Sequence, residues 1–216
     1  VLLRLLNADD EEVSPTESLD AAAKMNVIHK IDRWVILESI KMLSQHRSKG
    51  NHTKLIINLS GQSLCDDSLP PWLRVAFKAA KLPTDAIVFQ ASEVDTTNPL
   101  IAAKAIAKHL EKFNSCLSIS GFGCSLNPYN VFKHVPLGFV KVDGSFTQDI
   151  QNNNESPDTL VELIKKLHEE DVTTVVPFVE NASVLATLWQ AGVHYIQGYY
   201  LQEPSKSMDY DFNMES

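Results

Sequence analysis

The sequence predicts an α/β fold in which parallel strands alternate with amphipathic helices. Short apolar runs, several of them rich in β-branched residues, alternate with segments that carry apolar residues at helical spacing, in units of about 25–35 residues. The length of 216 residues suits one large domain, and a composition of 44% hydrophobic and 21% charged residues is typical of globular proteins. Parallel strands joined by helical crossovers form either a closed barrel or an open doubly wound sheet, and both stay open at this point.

Seven strands are predicted from the apolar runs, one fewer than a closed barrel needs. They cover residues 1–6, 54–60, 86–92, 116–120, 138–142, 173–176 and 193–196. Helical spacing predicts helices over residues 17–27, 32–46, 71–81, 99–113, 157–169 and 181–191. Gly192 is placed to cap the last helix. We expect one domain over residues 1–204 and a polar tail over residues 205–216.

Composition and charge exclude several classes of function. The net charge is 19 − 27 = −8, which repels polyphosphate, so we expect no DNA or RNA binding. No apolar run reaches the roughly 18 residues that a membrane span needs. Neither G-x-G-x-x-G nor G-x-x-x-x-G-K-[ST] occurs, which disfavours a nucleotide-binding doubly wound sheet. Cys65, Cys116 and Cys124 form no C-x-x-C pair, and we expect them to be reduced in a cytoplasmic protein.

Polar side chains follow most of the predicted strands. Because ligands of parallel α/β folds bind at the carboxyl ends of strands, these residues are the first candidates for a site. Polar residues are common at any strand end, so the candidate site depends on the whole set. The set comprises Arg4, Asn58, Gln90, Glu93, Ser120, Lys141, Asp143, Glu180 and Gln197.

The order of these segments resembles the EAL domain family, the cyclic di-GMP phosphodiesterases. The matching segments are Leu2-Leu3-Arg4, Asn58-Leu59-Ser60, Glu93, Phe122-Gly123, Lys141-Val142-Asp143, Val179-Glu180 and Gln197-Gly198-Tyr199. Residues 31–36 look like the L-D-x-W-V-L helix of that family. The resemblance implies a TIM-like (β/α)8 barrel of the EAL type with one antiparallel strand. We expect the first strand to be missing from this chain, with Val1-Leu2 at the last two signature positions.

The sequence departs from the family where its active members hold two divalent ions. A two-metal site needs several carboxylates to neutralise and position the ions. The first Glu of the E-x-T-E motif is Gln90, both Asp of D-D-F-G-T-G are Ser120 and Gly121, and the first Glu of E-G-V-E is Pro177. We therefore expect a degenerate phosphodiesterase with no catalytic residues, no bound metal and no cofactor.

The residues that remain suit binding of cyclic di-GMP. Arg4 can form a two-pronged contact with a phosphate, and Asp32 can accept from guanine N–H groups. Phe178 stands where active members carry Gly and can stack on a purine, unless its ring belongs to the core. Lys141 is expected to pair with Asp143, two residues further along one strand face. The predicted ligand-binding residues are Leu2, Leu3, Arg4, Ser14, Asp32, Asn58, Phe178, Glu180, Gln197 and Gly198.

These departures resemble the degenerate EAL domains of type IV pilus regulators. That resemblance implies a metal-independent cyclic di-GMP receptor in the cytoplasm, with recruitment to the cell pole as a further expectation. It also implies a PilZ-domain protein partner and control of type IV pilus function and twitching motility. A weakly active phosphodiesterase and a protein-interaction scaffold with an empty vestigial pocket are the alternatives.

Overall fold

The computed structural model describes residues 1–6, 9–152 and 156–208. Its strands are β1 (Leu5–Leu6), β2 (Glu12–Val13), β3 (Leu55–Asn58), β4 (Ile87–Ser92), β5 (Cys116–Phe122), β6 (Phe139–Val142), β7 (Thr173–Val176) and β8 (Tyr195–Ile196). Its helices are α1 (Pro15–Lys24), α2 (Ile28–Ser48), α3 (Gly61–Leu64), α4 (Leu69–Ala80), α5 (Glu93–Thr97), α6 (Leu100–Glu111), α7 (Gly144–Gln151), α8 (Pro157–Glu169) and α9 (Ala182–Gln190). The predicted tail lies partly outside the described residues, from residue 209 onward.

Strands β3 to β8 form one curled parallel sheet in the order of the sequence, which confirms the predicted α/β class. Sequential order requires each crossover to pass over the same face, as in a barrel. Antiparallel pairing occurs in the small sheet, where β1 pairs with β2. The predicted strand over residues 1–6 forms only at Leu5–Leu6, since its partner β2 pairs with these two residues before α1 begins at Pro15.

The core lies between the sheet and the helices on its outer face. Strand β4 is buried from Ile87 to Ala91, a continuous run typical of a parallel strand covered on both sides. Helices α2, α4, α6 and α8 each contribute apolar side chains at helical spacing to this core. The largest contributors are Ile36, Ile40, Leu43, Leu73, Phe77, Ile106, Leu110, Ile164 and Leu167.

Three short helices that the sequence did not predict begin directly after β3, β4 and β6. Each is capped by a side chain that accepts a backbone N–H: Ser60 caps α3, Ser92 caps α5 and Asp143 caps α7. They therefore place three helix starts along the carboxyl edge of the sheet. Gly192, with φ of 74°, follows α9 as predicted. No helix in the described ranges combines the length and the apolar character that crossing a bilayer requires.

Candidate functional site

The carboxyl edge of the large sheet carries a row of uncharged polar side chains across three neighbouring strands. Asn58 ends β3, and the register pairs it with Gln90 on β4, which in turn pairs with Ser118 on β5. Gln90 Nε2 donates to Asn58 Oδ1 at 2.7 Å, and the Ser118 hydroxyl donates to Gln90 Oε1 at 3.4 Å. Gln90 is buried, so its amide both donates and accepts where water is excluded.

Lys141 lies on β6 and donates from Nζ to Gln197 Oε1 at 2.7 Å. Burial lowers the pKa of this ammonium group, because the charged form is disfavoured away from water. The predicted ion pair with Asp143 is wrong, since no ion pair in the described residues joins the two. Strand β6 ends at Val142, and Asp143 caps α7 by accepting from the Ser145 N–H at 2.9 Å. The two-residue repeat of a strand therefore no longer applies at Asp143.

Glu93 is the acidic residue that remains of the E-x-T-E pattern. It is buried and accepts a hydrogen bond from the Ser125 hydroxyl at 2.6 Å, which ties the loop after β5 to the start of α5. Within residues 1–6, 9–152 and 156–208, no group of three or more His, Cys, Asp or Glu side chains is arranged to hold a metal ion. Whether the chain binds a metal or cofactor stays a prediction.

Phe178 follows β7 in the left-handed region, with φ of 58°. Its side chain is 48% exposed, so the ring is not part of the core. The Cδ2–Cε2 edge of the ring lies against Gly144 at the start of α7, where a Cβ would overlap these ring carbons. The Gln151 side-chain amide, at the end of α7, donates to the Phe178 carbonyl at 2.8 Å. Helix α7 thus supports both the ring and the backbone of Phe178.

Gly198 lies where the loop after β8 packs closely against the loop after β7. A Cβ at this position would fall on the backbone N and carbonyl of Val179, so only glycine fits. The Val179 N–H donates to the Gln197 carbonyl at 3.0 Å, which joins the two loops. Glu180 follows Val179 and is exposed, so its carboxylate is available at the rim formed by Phe178 and Gly198.

The chain start lies along the free edge of β3. The Val1 amino group donates to the Ile56 carbonyl at 2.6 Å. Leu2 is 56% exposed, whereas Leu3 is half-buried.

Arg4 and Ser14 lie on the hairpin and at the start of α1. Arg4 Nη1 forms an exposed ion pair with Glu12 Oε2 at 2.7 Å. Ser14 precedes α1, and its exposed hydroxyl makes no capping hydrogen bond. The predicted residues thus fall into two groups. One group comprises the residues before β3 in the chain together with Asn58 at its end, and the other follows the ends of β7 and β8.

Asp32 is buried on α2 and holds the start of α3. Its Oδ2 accepts from the Ser60 N–H at 2.9 Å, from the Ser60 hydroxyl at 2.6 Å and from the Ser63 hydroxyl at 2.6 Å. The sequence predicted a ligand contact here, and the structure adds a structural role that the sequence did not indicate. The predicted contact of Asp32 with guanine stays a prediction.

Sequence reasoning missed several residues that shape this edge. Ser118 could have been found, because it is a polar residue at an inward position of the buried strand β5. Gly144 and Gln151 gave no signal, since their importance comes from contacts with Phe178 that only the folded chain creates. The hydroxyl of Ser125 gave none for the same reason.

Comparisons with known proteins identify related domains. A family model described as EAL domain matches residues 1–204. The FimX EAL domain from Pseudomonas aeruginosa, in a crystal structure bound to c-di-GMP, is 54% identical with a TM-score of 0.91, covering 98% of this chain and 85% of that chain. A second FimX EAL domain structure is 56% identical with a TM-score of 0.92 over the same shares.

Among the curated relatives, the cyclic di-GMP phosphodiesterase PdeF of Escherichia coli (strain K12) is 26% identical over 211 residues. The alignment covers 97% of this chain and 28% of PdeF. The chain spans 24–28% of the length of several curated relatives, among them PdeF. These findings confirm the resemblance drawn from the motifs and the predicted barrel class.

Proposed function

The chain belongs to the EAL domain family, and we propose that it is a catalytically inactive receptor that binds cyclic di-GMP without a metal ion. The observation that carries this proposal is the neutral row formed by Asn58, Gln90 and Ser118. It contains Gln90 in place of the first Glu of the E-x-T-E motif, and none of its three side chains is a carboxylate of the kind that a two-metal site needs. Binding and hydrolysis depend on different groups, so a site can lose hydrolysis and still bind the ligand.

Ligand binding is supported by the FimX EAL domain, which is 54% identical to this chain and has been crystallised with c-di-GMP. The rim of Phe178, Glu180 and Gly198 supplies the chemistry that a guanine requires. The exposed ring offers a flat surface for stacking, and the Glu180 carboxylate can accept from guanine N–H groups.

The phosphates are assigned to Arg4. Its guanidinium is paired with Glu12, but both side chains are more than half exposed, at 54% and 61%. Such surface pairs contribute about 0–1 kcal/mol, so exchange of Glu12 for a phosphate costs little. A phosphate offers the guanidinium a two-pronged, charge-assisted contact instead. Ser14 and Leu2 lie nearby in sequence and are exposed, which suits contacts with phosphate or ribose and with a base.

Hydrolysis is disfavoured by the state of the remaining polar groups. Lys141 donates to Gln197, Glu93 accepts from Ser125, and Asp143 caps a helix. Each has a role within the protein, and none lies in a group of acidic side chains that would bind Mg²⁺ through oxygens in near-octahedral geometry. The same argument supports the absence of a cofactor.

We further propose that the domain acts through a PilZ-domain protein in the cytoplasm and that it controls type IV pilus function and twitching motility. The support is the similarity to FimX EAL domains together with the loss of the metal-site carboxylates. Pull-down of a PilZ-domain protein with and without cyclic di-GMP tests this proposal. Failure of the PilZ-domain protein to bind the domain both with and without cyclic di-GMP would overturn the proposal.

Calorimetric titration with cyclic di-GMP tests the central proposal. We expect saturable binding in EDTA with a Kd within about 2-fold of the value in Mg²⁺ or Mn²⁺, a difference below about 0.5 kcal/mol. We also expect no linear pGpG after a day at high protein concentration in Mn²⁺. Arg4→Ala should weaken binding, whereas Arg74→Ala, an exposed arginine on α4, should leave it unchanged.

Two outcomes would overturn the proposal. Binding that requires a divalent ion, with slow formation of linear product, would identify a residual phosphodiesterase. The phosphodiesterase PdeF, 26% identical over 97% of this chain, makes this the second candidate. Absence of any saturable binding would identify a scaffold whose pocket no longer takes a ligand.

A further inference from the structure

We propose a second binding surface, a groove between α4 and the segment that follows α6, which takes an acidic peptide segment of a partner protein with an apolar side chain at its centre. We call it the basic groove. Its volume is about 550 Å³, within the range of sites that hold one or two side chains. It is lined by Arg74, Phe77, Lys78, Lys81, Leu82, Pro83, Thr84 and Phe113.

The basic groove lies at the opposite end of the sheet from the cyclic di-GMP site. The lining residues 82–84 directly precede β4, and Phe113 precedes β5. Because the strands are parallel, the residues that precede them lie at the amino edge, whereas Asn58 and Gln197 lie at the carboxyl edge. The two surfaces can therefore be occupied at the same time.

Three cations line the basic groove, and none is neutralised within the protein. Arg74, Lys78 and Lys81 are exposed, and none of them forms an ion pair with any residue in the described ranges. The acidic residue next to the groove, Asp85, pairs instead with Lys54 at 3.2 Å. In a chain of net charge −8 this is a local reversal of sign, and it favours a ligand with carboxylates.

The floor of the basic groove is apolar. Phe77 and Leu82 are buried at 2% and 9% exposure and close the base of the groove, whereas Phe113 is half-buried and offers exposed ring surface to an inserted side chain. The guanidinium of Arg74 lies 5.9 Å from the centre of the Phe113 ring. This cation–π contact restrains the guanidinium while its N–H groups stay free for a carboxylate.

Lys81 ends α4 in the left-handed region, with φ of 53°. Glycine is the usual residue at such a position, and a side chain there costs about 1 kcal/mol or more. No ion pair in the described residues involves the Lys81 ammonium, which is exposed beside the groove. It is therefore available to a carboxylate of the peptide.

A peptide fits these observations better than a nucleic acid or a membrane surface. The net charge of −8 repels long polyanions and anionic bilayers, whereas a short segment meets only the local field of Arg74, Lys78 and Lys81. An apolar side chain of the peptide would also cover the exposed part of the Phe113 ring, which a phosphate headgroup would not.

Fluorescence anisotropy tests the proposal with a labelled short peptide of Asp and Glu residues around one Phe. We expect saturable binding that weakens roughly tenfold or more in the double variant Lys78→Glu, Lys81→Glu. The matched control is Lys165→Glu, Lys166→Glu at the end of α8, which makes the same change of charge on another helix. Phe113→Ala should weaken binding without any change of charge.

The remaining outcomes are decisive in either direction. Loss of binding when Asn and Gln replace the acidic residues of the peptide supports the proposal. Equal binding to wild type and to the Lys78 and Lys81 double variant would overturn it, as would binding of anionic vesicles or polyphosphate in place of the peptide. Retained cyclic di-GMP binding and an unchanged Tm in the double variant would show that the fold is intact.

Discussion

Replacement of Phe178 separates its effect on affinity from its effect on stability. The ring is 48% exposed at the rim, and base–aromatic stacking contributes about 1–3 kcal/mol per base. Removing the ring in Phe178→Ala or Phe178→Gly should therefore raise the Kd for cyclic di-GMP about 5- to 150-fold, by the same factor in both variants. The two variants differ only in what they do to the backbone.

The backbone at Phe178 has φ of 58°, a left-handed conformation that is energetically unfavourable for any residue with a Cβ. That conformation costs about 1–2 kcal/mol, and glycine avoids this cost but loses about 0.5–1 kcal/mol through its greater freedom in the unfolded chain. Phe178→Gly should therefore be more stable than Phe178→Ala by about 0.5–1 kcal/mol, or about 1–4 °C in Tm. Calorimetric titration measures the affinities, and urea denaturation measures the stabilities.

Trp189→Ala is the matched control, because Trp189 is an aromatic residue at the end of α9 that is 80% exposed. We expect its Kd to match that of the wild type. Equal stability of Phe178→Gly and Phe178→Ala would refute the strain at this position. An unchanged Kd in both would refute the stacking role, whatever the stabilities.

Three further predictions follow from the same edge of the sheet. Gly144→Ala places a Cβ against the Phe178 ring, so cyclic di-GMP affinity should fall several-fold with the fold retained, as calorimetry can measure. Asp143→Ala removes the α7 cap and should cost about 1 kcal/mol at pH 7. Backbone and side-chain hydrogen bonds lower the pKa of Asp143 in the folded protein below its usual value of 3.8. The contribution of Asp143 to the free energy of unfolding is therefore fully present above pH 3.8 and is lost as the pH falls through the lower pKa of the folded state. Urea denaturation at several pH values measures this loss. Asp32→Ala leaves buried donors unpaired and should cost about 2–4 kcal/mol in urea denaturation, and a loss within 0.5 kcal/mol would contradict the capping role.

The strands of the large sheet were predictable because a buried strand requires a short run of mostly apolar residues, which is visible in the sequence. Strand β4 is buried on both faces and was predicted within one residue at its start, since helices cover one side and the barrel interior, where Gln90 lies, is on the other. Residues 1–6 carry a similar run, yet only Leu5–Leu6 form a strand. An apolar run shows only that a segment can be buried. The number of residues in the neighbouring strand determines how many of its residues pair as a strand.

The short helices could not be predicted from periodicity. Helix α3 has four residues and α5 has five, which is less than two turns, so no apolar stripe can repeat along them. What defines them is the capping hydroxyl at Ser60 and at Ser92, and such residues are equally common in loops. The same ambiguity hid the capping role of Asp143 and led to the wrong pairing with Lys141.

The common edge at which several candidate residues lie was predictable, whereas their interactions were not. Parallel topology places Asn58, Gln90 and Gln197 at one edge wherever the helices pack, so the strand ends identify the region. The partner of each side chain depends on rotamers and on loop conformations that no local pattern encodes. Asp32 illustrates this, because its carboxylate holds the hydroxyls of Ser60 and Ser63 from a distant helix.

The neutral edge is more than the sum of four lost carboxylates, because the backbone around it has conformations that oppose their return. Gly121 has φ of 68°, and a Cβ there would lie 3.5 Å from Asp143 Oδ2. An Asp at this position would combine left-handed strain with repulsion between two carboxylates. A Glu at position 90 would face Asn58 Oδ1 with an acceptor in place of the present donor at 2.7 Å. Each single reversion is therefore unfavourable without a divalent ion to bridge the charges, and an ion has no site until several reversions are present. This mutual dependence supports the proposal that the chain is a metal-free receptor.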